Sequence, residues 1–236
     1  MKTTSYFFLI LGGLFAILSC QNDGTSSEDR PSAVQLIEKS EEHALTETGI
    51  DAIPETNAIY IEWQLHEDSE VNKYEVYRRS ELQSTFVLIN TVEEPFYSDS
   101  GVELNVRYYY YILAMNYDHE KSVPSDTVDY KLLEKPSRLS PAGGTAGKNP
   151  TFEWEDINQA NDYIVRVKRS DNNQNVWLTV VRANFGSDYQ QTVFNSDGTA
   201  SIGSLSTGVT YQWRVDVIGP EDRCGSESVW AMFTVE

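Results

Sequence analysis

Apolar and polar residues alternate in short runs along most of the chain, which is the pattern of half-buried β-strands. The longest run is Arg107–Asn116, in which four apolar or aromatic side chains share one face: Tyr108, Tyr110, Ile112 and Ala114. Helix signals are poor after the first twenty residues. Only residues 33–45 (AVQLIEKSEEHAL) are open to two interpretations, a short helix or a first β-strand followed by a loop. The pattern therefore predicts an all-β protein.

The strand pattern occurs twice. In the first copy we predict strands near residues 59–63, 74–79, 86–89, 107–116 and 127–132, and in the second near 152–154, 163–167, 176–181, 211–217 and 230–235. Three aromatic positions align between the copies: Trp63 with Trp154, Tyr74 with Tyr163, and Tyr108 with Tyr211, at offsets of 91, 89 and 103 residues. The longer third offset indicates an insertion in the second copy, which also contains an Asp197-Gly198 hairpin-type turn signal. Repeats of this length, built of short strands, indicate tandem β-sandwiches over residues 33–133 and 134–236.

The aligned motifs resemble the fibronectin type III family. They are a Trp in the second strand (Trp63, Trp154), Tyr-x-Val in the third (Tyr74, Tyr163), and alternating aromatics in the sixth (Tyr108, Tyr211). The resemblance implies two packed antiparallel sheets in each domain, ABE and GFCC′, and tyrosine corners at Tyr108 and Tyr211. Copy two lacks the Ala-x-Asn ending of the sixth strand, which makes it closer to a general Ig-like sandwich. We expect both tryptophans and both corner tyrosines to be buried.

The N-terminus has the pattern of a lipoprotein signal. Residues 6–18 are an uninterrupted apolar run, too short for a membrane-spanning helix. The end of this run and the next two residues, Ile17-Leu18-Ser19-Cys20, resemble a bacterial lipobox. This resemblance implies cleavage after residue 19 and lipid attachment at Cys20. Residues 20–32 then form the lipidated cysteine and an acidic, flexible tether. The alternatives are an ordinary signal peptide and an uncleaved membrane anchor.

The chain is strongly acidic, with 36 Asp and Glu against 18 Lys and Arg. Most of this charge lies in the first copy, since residues 21–133 have a net charge of −15 and residues 134–236 a net charge of −4. Such a surface repels nucleic acid, so we expect no nucleic-acid partner. The chain has two cysteines, Cys20 and Cys224. With Cys20 lipidated, no disulfide framework or zinc-binding cysteine pattern is possible.

Catalytic motifs are missing from the sequence. All three histidines precede residue 120, so a Ser-His-Asp triad or a zinc-hydrolase site confined to the second copy is excluded. Because the chain has many Asp and Glu residues, their number alone does not exclude a catalytic carboxylate pair of the glycosidase type. The acids of residues 67–70, and Asp216 with Glu221 and Asp222, are candidates for calcium, but solvated turn acids explain them better. We predict no enzyme activity, no cofactor and no metal site.

A group of outward-facing tyrosines is the best candidate for a functional surface in this sequence. If the core residues of the third and sixth strands point inward, alternation turns Tyr77, Tyr109 and Tyr111 outward on neighbouring strands. The equivalent positions of the second copy are mostly polar: Ile164, Arg166, Lys168, Gln212, Arg214 and Asp216. The three tyrosines are therefore the candidate binding surface for a protein partner or a glycan. Alternatively, these rings pack on the second domain, on C′ side chains, or on residues 33–45.

Together these features predict a non-catalytic, lipid-anchored module of the outer membrane, on its surface or periplasmic face, that binds or scaffolds a protein or glycan. Two other functions are compatible with the same fold. One is an enzyme or enzyme-accessory unit with an unrecognised carboxylate site. The other is a purely structural spacer. A concave pocket with perturbed carboxylates would favour the enzyme, and an exposed aromatic face would favour the binding module.

Overall fold

The structure, a computed structural model, describes residues 30–236, and that range is all-β. Strands β1 to β7 are Asp51–Ala52, Ile59–Glu62, Val71–Ser80, Val87–Val92, Phe96–Asp99, Arg107–Asn116 and Val128–Leu132. Strands β8 to β15 are Thr145–Ala146, Thr151–Glu155, Asp162–Arg169, Asn175–Arg182, Tyr189–Val193, Thr210–Ile218, Cys224–Glu227 and Ala231–Val235.

The predicted signal peptide, Cys20 and nearly all of the predicted tether lie outside the described residues. From residue 30 onward, no helix is long and apolar enough to span a membrane.

Domain one is a sandwich of two sheets. One sheet has the order β1-β2-β5 and the other β4-β3-β6-β7, which are the ABE and GFCC′ sheets that the family resemblance implies. The core between them contains Trp63, which is 2% exposed, packed edge-on against Tyr74 with ring centroids 5.3 Å apart. The predicted all-β tandem sandwich is confirmed.

Domain two has a smaller first sheet and a larger second one. Strands β9 and β12 pair alone, whereas β13 pairs with β10, β14 and β15, and β11 forms the outer edge beside β10. Trp154 is fully buried and meets Tyr163 edge-on, again with ring centroids 5.3 Å apart. The two copies therefore share the same Trp–Tyr packing unit, and this supports the alignment made from the sequence.

Both predicted tyrosine corners are present. The hydroxyl of Tyr108 accepts a hydrogen bond from the backbone N–H of Glu103 at 3.1 Å. The hydroxyl of Tyr211 accepts one from the backbone N–H of Ser206, also at 3.1 Å. In each domain the ring is buried while its hydroxyl fixes the loop five residues upstream. The burial predicted for Trp63, Trp154, Tyr108 and Tyr211 is confirmed.

The Asp197-Gly198 turn forms, but it does not close a hairpin. The strand before it, β12, pairs with β9 rather than with a following strand. The Asp197 carboxylate instead accepts the indole N–H of Trp177 at 2.9 Å. Burial alone would raise the pKa of Asp197, but hydrogen bonds from Thr179, Thr199 and Trp177 outweigh it and lower this pKa to about 2.

Residues 33–45 are extended and looped rather than helical. Leu36 bridges to Trp63, and the Gln64 N–H donates to the carbonyl of Gln35, so the segment starts as a short edge to the first sheet. Further along, it stays in contact with domain one through Lys39 and Asp51 and also reaches Arg166 of domain two. Of the two interpretations open at the sequence level, the helix is wrong, and the first strand is reduced to an isolated β-bridge at Leu36 that precedes the loop.

The two domains share one continuous sheet, because β7 of domain one pairs in parallel with β14 of domain two. Lys131 lies beside Cys224, and Leu132 lies beside Gly225. Lys131 points away from the core of domain one and ion-pairs with Glu221, whereas Cys224 belongs to the core of domain two. Since paired residues project to the same side of a sheet, the outer side of this sheet in domain one is the core side in domain two.

This junction is wider than the contact predicted near residues 133–141. Arg107 and Asp129 of domain one form ion pairs with Glu221 and Arg223 of domain two, respectively, at 3.0 and 2.9 Å. The linker contributes as well, since the Lys135 ammonium donates to the carbonyls of Ile53 and Glu227. Sequence alignment did not indicate the strand pairing between the domains or these ion pairs.

Candidate binding surface

Tyr77, Tyr109 and Tyr111 lie together on the outer face of domain one. In the ladder between β3 and β6, Tyr77 is paired with Tyr111, and Arg79 is paired with Tyr109. All three rings are half-buried, while the intervening Tyr108 and Tyr110 belong to the core. The outward orientation predicted from alternation is confirmed.

These rings pack on one another. Tyr77 and Tyr111 stack nearly parallel, with centroids 4.8 Å apart and planes 13° apart. Phe86 packs against Tyr111 at 4.8 Å, and the guanidinium of Arg79 covers the Tyr109 ring at 3.9 Å. We call Tyr77, Arg79, Phe86, Tyr109 and Tyr111 the aromatic patch.

Phe86 and Arg79 were missed as members of this surface. The sequence places Phe86 at the start of the predicted C′ strand and Arg79 at the end of the third strand, and each was assigned only a structural position. The signal that would have found them is the alternation itself. Arg79 is two residues after Tyr77, so both side chains lie on one face.

A polar group lies at one edge of the patch. The Tyr77 hydroxyl donates to the Glu75 carboxylate at 2.9 Å, and the Lys121 ammonium pairs with the same carboxylate at 2.7 Å. Burial, together with the hydrogen bond to Glu75, raises the pKa of Tyr77 to about 12. Burial and the Glu75 charge also raise the pKa of Tyr111. Both phenols therefore stay neutral hydrogen-bonding groups at physiological pH.

Leucine extends the surface toward the sheet edge. Leu88 of β4 is paired with Tyr77 across the ladder and is 47% exposed. Among the described strands, β4 pairs only with β3, so it forms an open edge of the sheet. The row Leu88–Tyr77–Tyr111 thus combines an apolar side chain with two hydroxyl-bearing rings on one face.

The equivalent face of domain two is covered rather than open. Glu47, from the loop before β1, reaches Arg214 at 2.5 Å and Arg166 at 2.9 Å. Asp216 pairs with Arg166 at 2.5 Å, and Glu227 pairs with Arg214 at 2.8 Å. We call these five residues the interdomain ion cluster. The polar face predicted for domain two is therefore largely a buried contact with domain one.

Three carboxylates of the ion cluster lie close enough together to bind a metal ion, but two guanidinium groups lie among them. Oxygens of Glu47, Asp216 and Glu227 lie within 4.8 Å of one another, a spacing suited to a metal ion. Arg166 and Arg214 lie among them and already provide positive charge, so ion pairing explains the arrangement.

The calcium candidates from the sequence do not form ligand sets. Asp216 is 7% exposed within the ion cluster and is not a solvated turn acid. Glu221 forms ion pairs with Arg107 and Lys131 and does not join Asp216 in a ligand set. The acids of residues 67–70 are exposed, as expected for a solvated turn.

No family model matches the sequence, and no curated protein matches it. Among solved structures, the chain is similar to the FN1-FN3 domains of chicken CNTN1, with 17% identity and a TM-score of 0.31, covering 87% of this chain and 66% of that chain. It is also similar to the chicken interferon gamma receptor alpha chain, with 14% identity and a TM-score of 0.33, covering 87% of this chain and 97% of that chain. The strand order and the repeated Trp–Tyr packing, rather than these superpositions, define the fold as a tandem of fibronectin type III-like sandwiches.

Proposed function

We propose that this chain is a non-catalytic binding or scaffolding module, anchored by lipid at Cys20 to the outer membrane, that docks a protein partner on the aromatic patch. One observation carries the docking proposal. Four aromatic rings and an arginine are already packed together on a half-exposed sheet face, in a domain that is otherwise strongly acidic. Tyrosine and arginine dominate protein interface hot spots, and a rigid cluster loses little side-chain entropy on binding.

The ring geometry favours a protein over a glycan. A sugar-binding aromatic normally offers a free ring face on which the sugar stacks. Here Tyr77 and Tyr111 turn their faces toward each other, and Arg79 covers a face of Tyr109. Ring edges, hydroxyls and the exposed Leu88 remain, and these are suited to the mixed contacts of a protein interface.

The proposed place of action follows from the residues before the described range. A short apolar run ending in Ser19-Cys20 resembles a lipoprotein signal, and lipid at Cys20 would leave the two domains on a short acidic tether. Whether the domains face the periplasm or the outside of the cell is decided by the export machinery and not by the fold.

The docking proposal is tested by substituting Tyr77, Tyr109 and Tyr111 together by Ser. We expect the variant to keep its far-UV spectrum, to melt a few degrees lower because ring contacts worth about 0.5–1.5 kcal/mol each are lost, and to stop recovering the partner that wild type recovers from detergent-solubilised envelope. Tyr117→Ser is the matched control, since Tyr117 is 65% exposed in the same domain.

Three outcomes would count against this proposal. Undiminished recovery by the triple variant places the site elsewhere, and collapse of the fold makes the rings structural. Binding of wild type to purified envelope glycan, without any protein, would replace the protein partner by a sugar.

The anchor is tested separately by Cys20→Ala. We expect this variant to leave the membrane fraction or to accumulate as an unprocessed precursor, because the thioether lipid needs the Cys20 sulfur. A variant that fractionates and migrates like wild type would refute lipidation while leaving the docking surface unaffected.

A further inference from the structure

The interdomain ion cluster is built from segments that are far apart in the sequence. Glu47 comes from the loop before β1, Arg166 from β10, Arg214 and Asp216 from β13, and Glu227 from β14. The four side chains of domain two are 5–10% exposed, and that of Glu47 is 29% exposed. Ion pairs at this depth are shielded from solvent and depend strongly on having every partner in place.

Domain two also binds the backbone of the same segment. The Arg166 guanidinium donates to the carbonyl of Ala44 at 2.5 Å and to that of Glu42 at 2.8 Å. One arginine thus contacts two carbonyls and the Glu47 carboxylate of domain one. Because a guanidinium is planar with donors in a fixed fork, it holds the segment in one orientation rather than merely attracting it.

Domain one holds this segment from its other side. The Gly49 N–H donates to the Glu62 carboxylate at 2.7 Å, and within the segment the Ser40 N–H donates to the carbonyl of Thr48 at 3.1 Å, which closes it into a loop. Asp51 accepts the buried Tyr130 hydroxyl at 3.0 Å. Residues 39–51, which we call the strap, therefore make specific contacts with both sandwiches.

Two lysines and two further carboxylates near the ion cluster have other partners. Lys39 pairs with Asp51 at 2.5 Å and with Glu42 at 3.4 Å, so these carboxylates do not need Arg166 or Arg214. Lys168 lies over the Trp230 ring at 4.0 Å. Within residues 30–236, Glu47 is thus the domain-one carboxylate on which both arginines converge.

We propose that the strap and the ion cluster form a clamp that makes the two sandwiches open and unfold as one cooperative unit. The parallel pairing of β7 with β14 spans only two residue pairs, Lys131 with Cys224 and Leu132 with Gly225. This ladder is short, and the ion pairs beside it involve Glu221 and Arg223, whose side chains are 50% and 46% exposed. The domain-two side chains of the ion cluster are only 5–10% exposed, so the clamp provides the more deeply buried polar contact that resists rotation of one domain against the other. The first folded segment after the tether is thereby bound to both domains at once.

Glu47→Lys is the decisive variant, because it places an ammonium opposite two arginines and leaves every charged residue of domain two unchanged. The experiment uses the full mature chain and follows hydrogen exchange of the amides of Ser40, Thr48 and Gly49, together with calorimetric unfolding. We expect exchange at these amides to be at least tenfold faster than in wild type, and the single unfolding transition to split into two.

Glu67→Lys is the matched control, since Glu67 is an exposed acid of domain one outside the strap and carries the same charge change. It should leave both readouts at the wild-type values. Glu47→Gln removes the charge without adding one, and we expect an intermediate acceleration of exchange. This graded variant keeps the test informative if Glu47→Lys does not fold.

Two results would overturn the clamp. One is wild-type protein whose two domains already unfold in separate transitions. The other is a set of Glu47 variants that fold and exchange their strap amides at the wild-type rate.

Discussion

Removing the Asp99 carboxylate should destabilise domain one strongly. Asp99 is 2% exposed at the end of β5 and accepts hydrogen bonds from the Tyr110 hydroxyl at 2.9 Å and the Gly101 N–H at 3.0 Å. Arg78 Nη1 contacts both of its oxygens, at 2.9 and 2.7 Å. Arg78 points toward the core because it follows Tyr74 and Val76 on the inward face of β3, and Asp99 neutralises it there.

The expected magnitude follows from these contacts. Asp99→Ala leaves the Arg78 guanidinium without its counter-ion and the fully buried Tyr110 hydroxyl without an acceptor. Breaking a buried ion pair from one side costs about 3–5 kcal/mol. For a chain of this size, each kcal/mol lowers the melting temperature by about 2–4 °C, so we expect a decrease of about 6–20 °C.

Thermal unfolding followed by circular dichroism measures this decrease. Glu67→Ala is the matched control, because Glu67 is an exposed acid in the same domain and should change the melting temperature by less than about 2 °C. If Asp99→Ala melts within about 2 °C of wild type, the Arg78–Asp99–Tyr110 contacts do not stabilise the domain, and the reasoning is refuted.

Three further predictions concern single side chains. Tyr108→Phe and Tyr211→Phe should each cost about 1 kcal/mol in urea unfolding, because each leaves a loop N–H without its acceptor. Cys224 is 3% exposed and burial raises its thiol pKa, so a thiol reagent at pH 8 should label it only after unfolding. Asp197 has its pKa lowered to about 2, so it stabilises the fold above about pH 4 and this contribution is lost as the pH falls through about 2. The difference between wild type and Asp197→Asn, at most about 1 kcal/mol because the carboxylate is exposed, should therefore vanish near pH 2.

Local pattern was sufficient to predict the longer strands and the orientation of their side chains, but it missed β1, β8, β12 and β14. The alternation in residues 107–116 correctly assigns Tyr108 and Tyr110 to the core and Tyr109 and Tyr111 to the outer face. This succeeds because a side-chain period of two is imposed by the strand backbone itself. The corner tyrosines were implied by the family resemblance, and the structure has each bonding to a loop N–H only five residues upstream.

Contacts between the domains were not predictable in the same way. Glu47 and Arg214 are 167 residues apart in sequence, and each by itself has the pattern of a solvated surface residue. A partial signal was present, because Arg166 and Arg214 occupy paired positions on two central strands of an acidic chain. Arginines there need counter-ions, but the sequence does not indicate which of the many acids provides them.

The covered face of domain two has a consequence for valency. Two copies of one fold would be expected to offer two equivalent outer faces, and hence bivalent attachment to a repeated target. Here Arg166, Arg214 and Asp216 are buried under residues 39–51 of the chain itself, while the equivalent outer face of domain one carries the half-buried tyrosines. Within residues 30–236, each molecule therefore presents one such face, and any gain in avidity must come from bringing several molecules together rather than from the duplication within the chain.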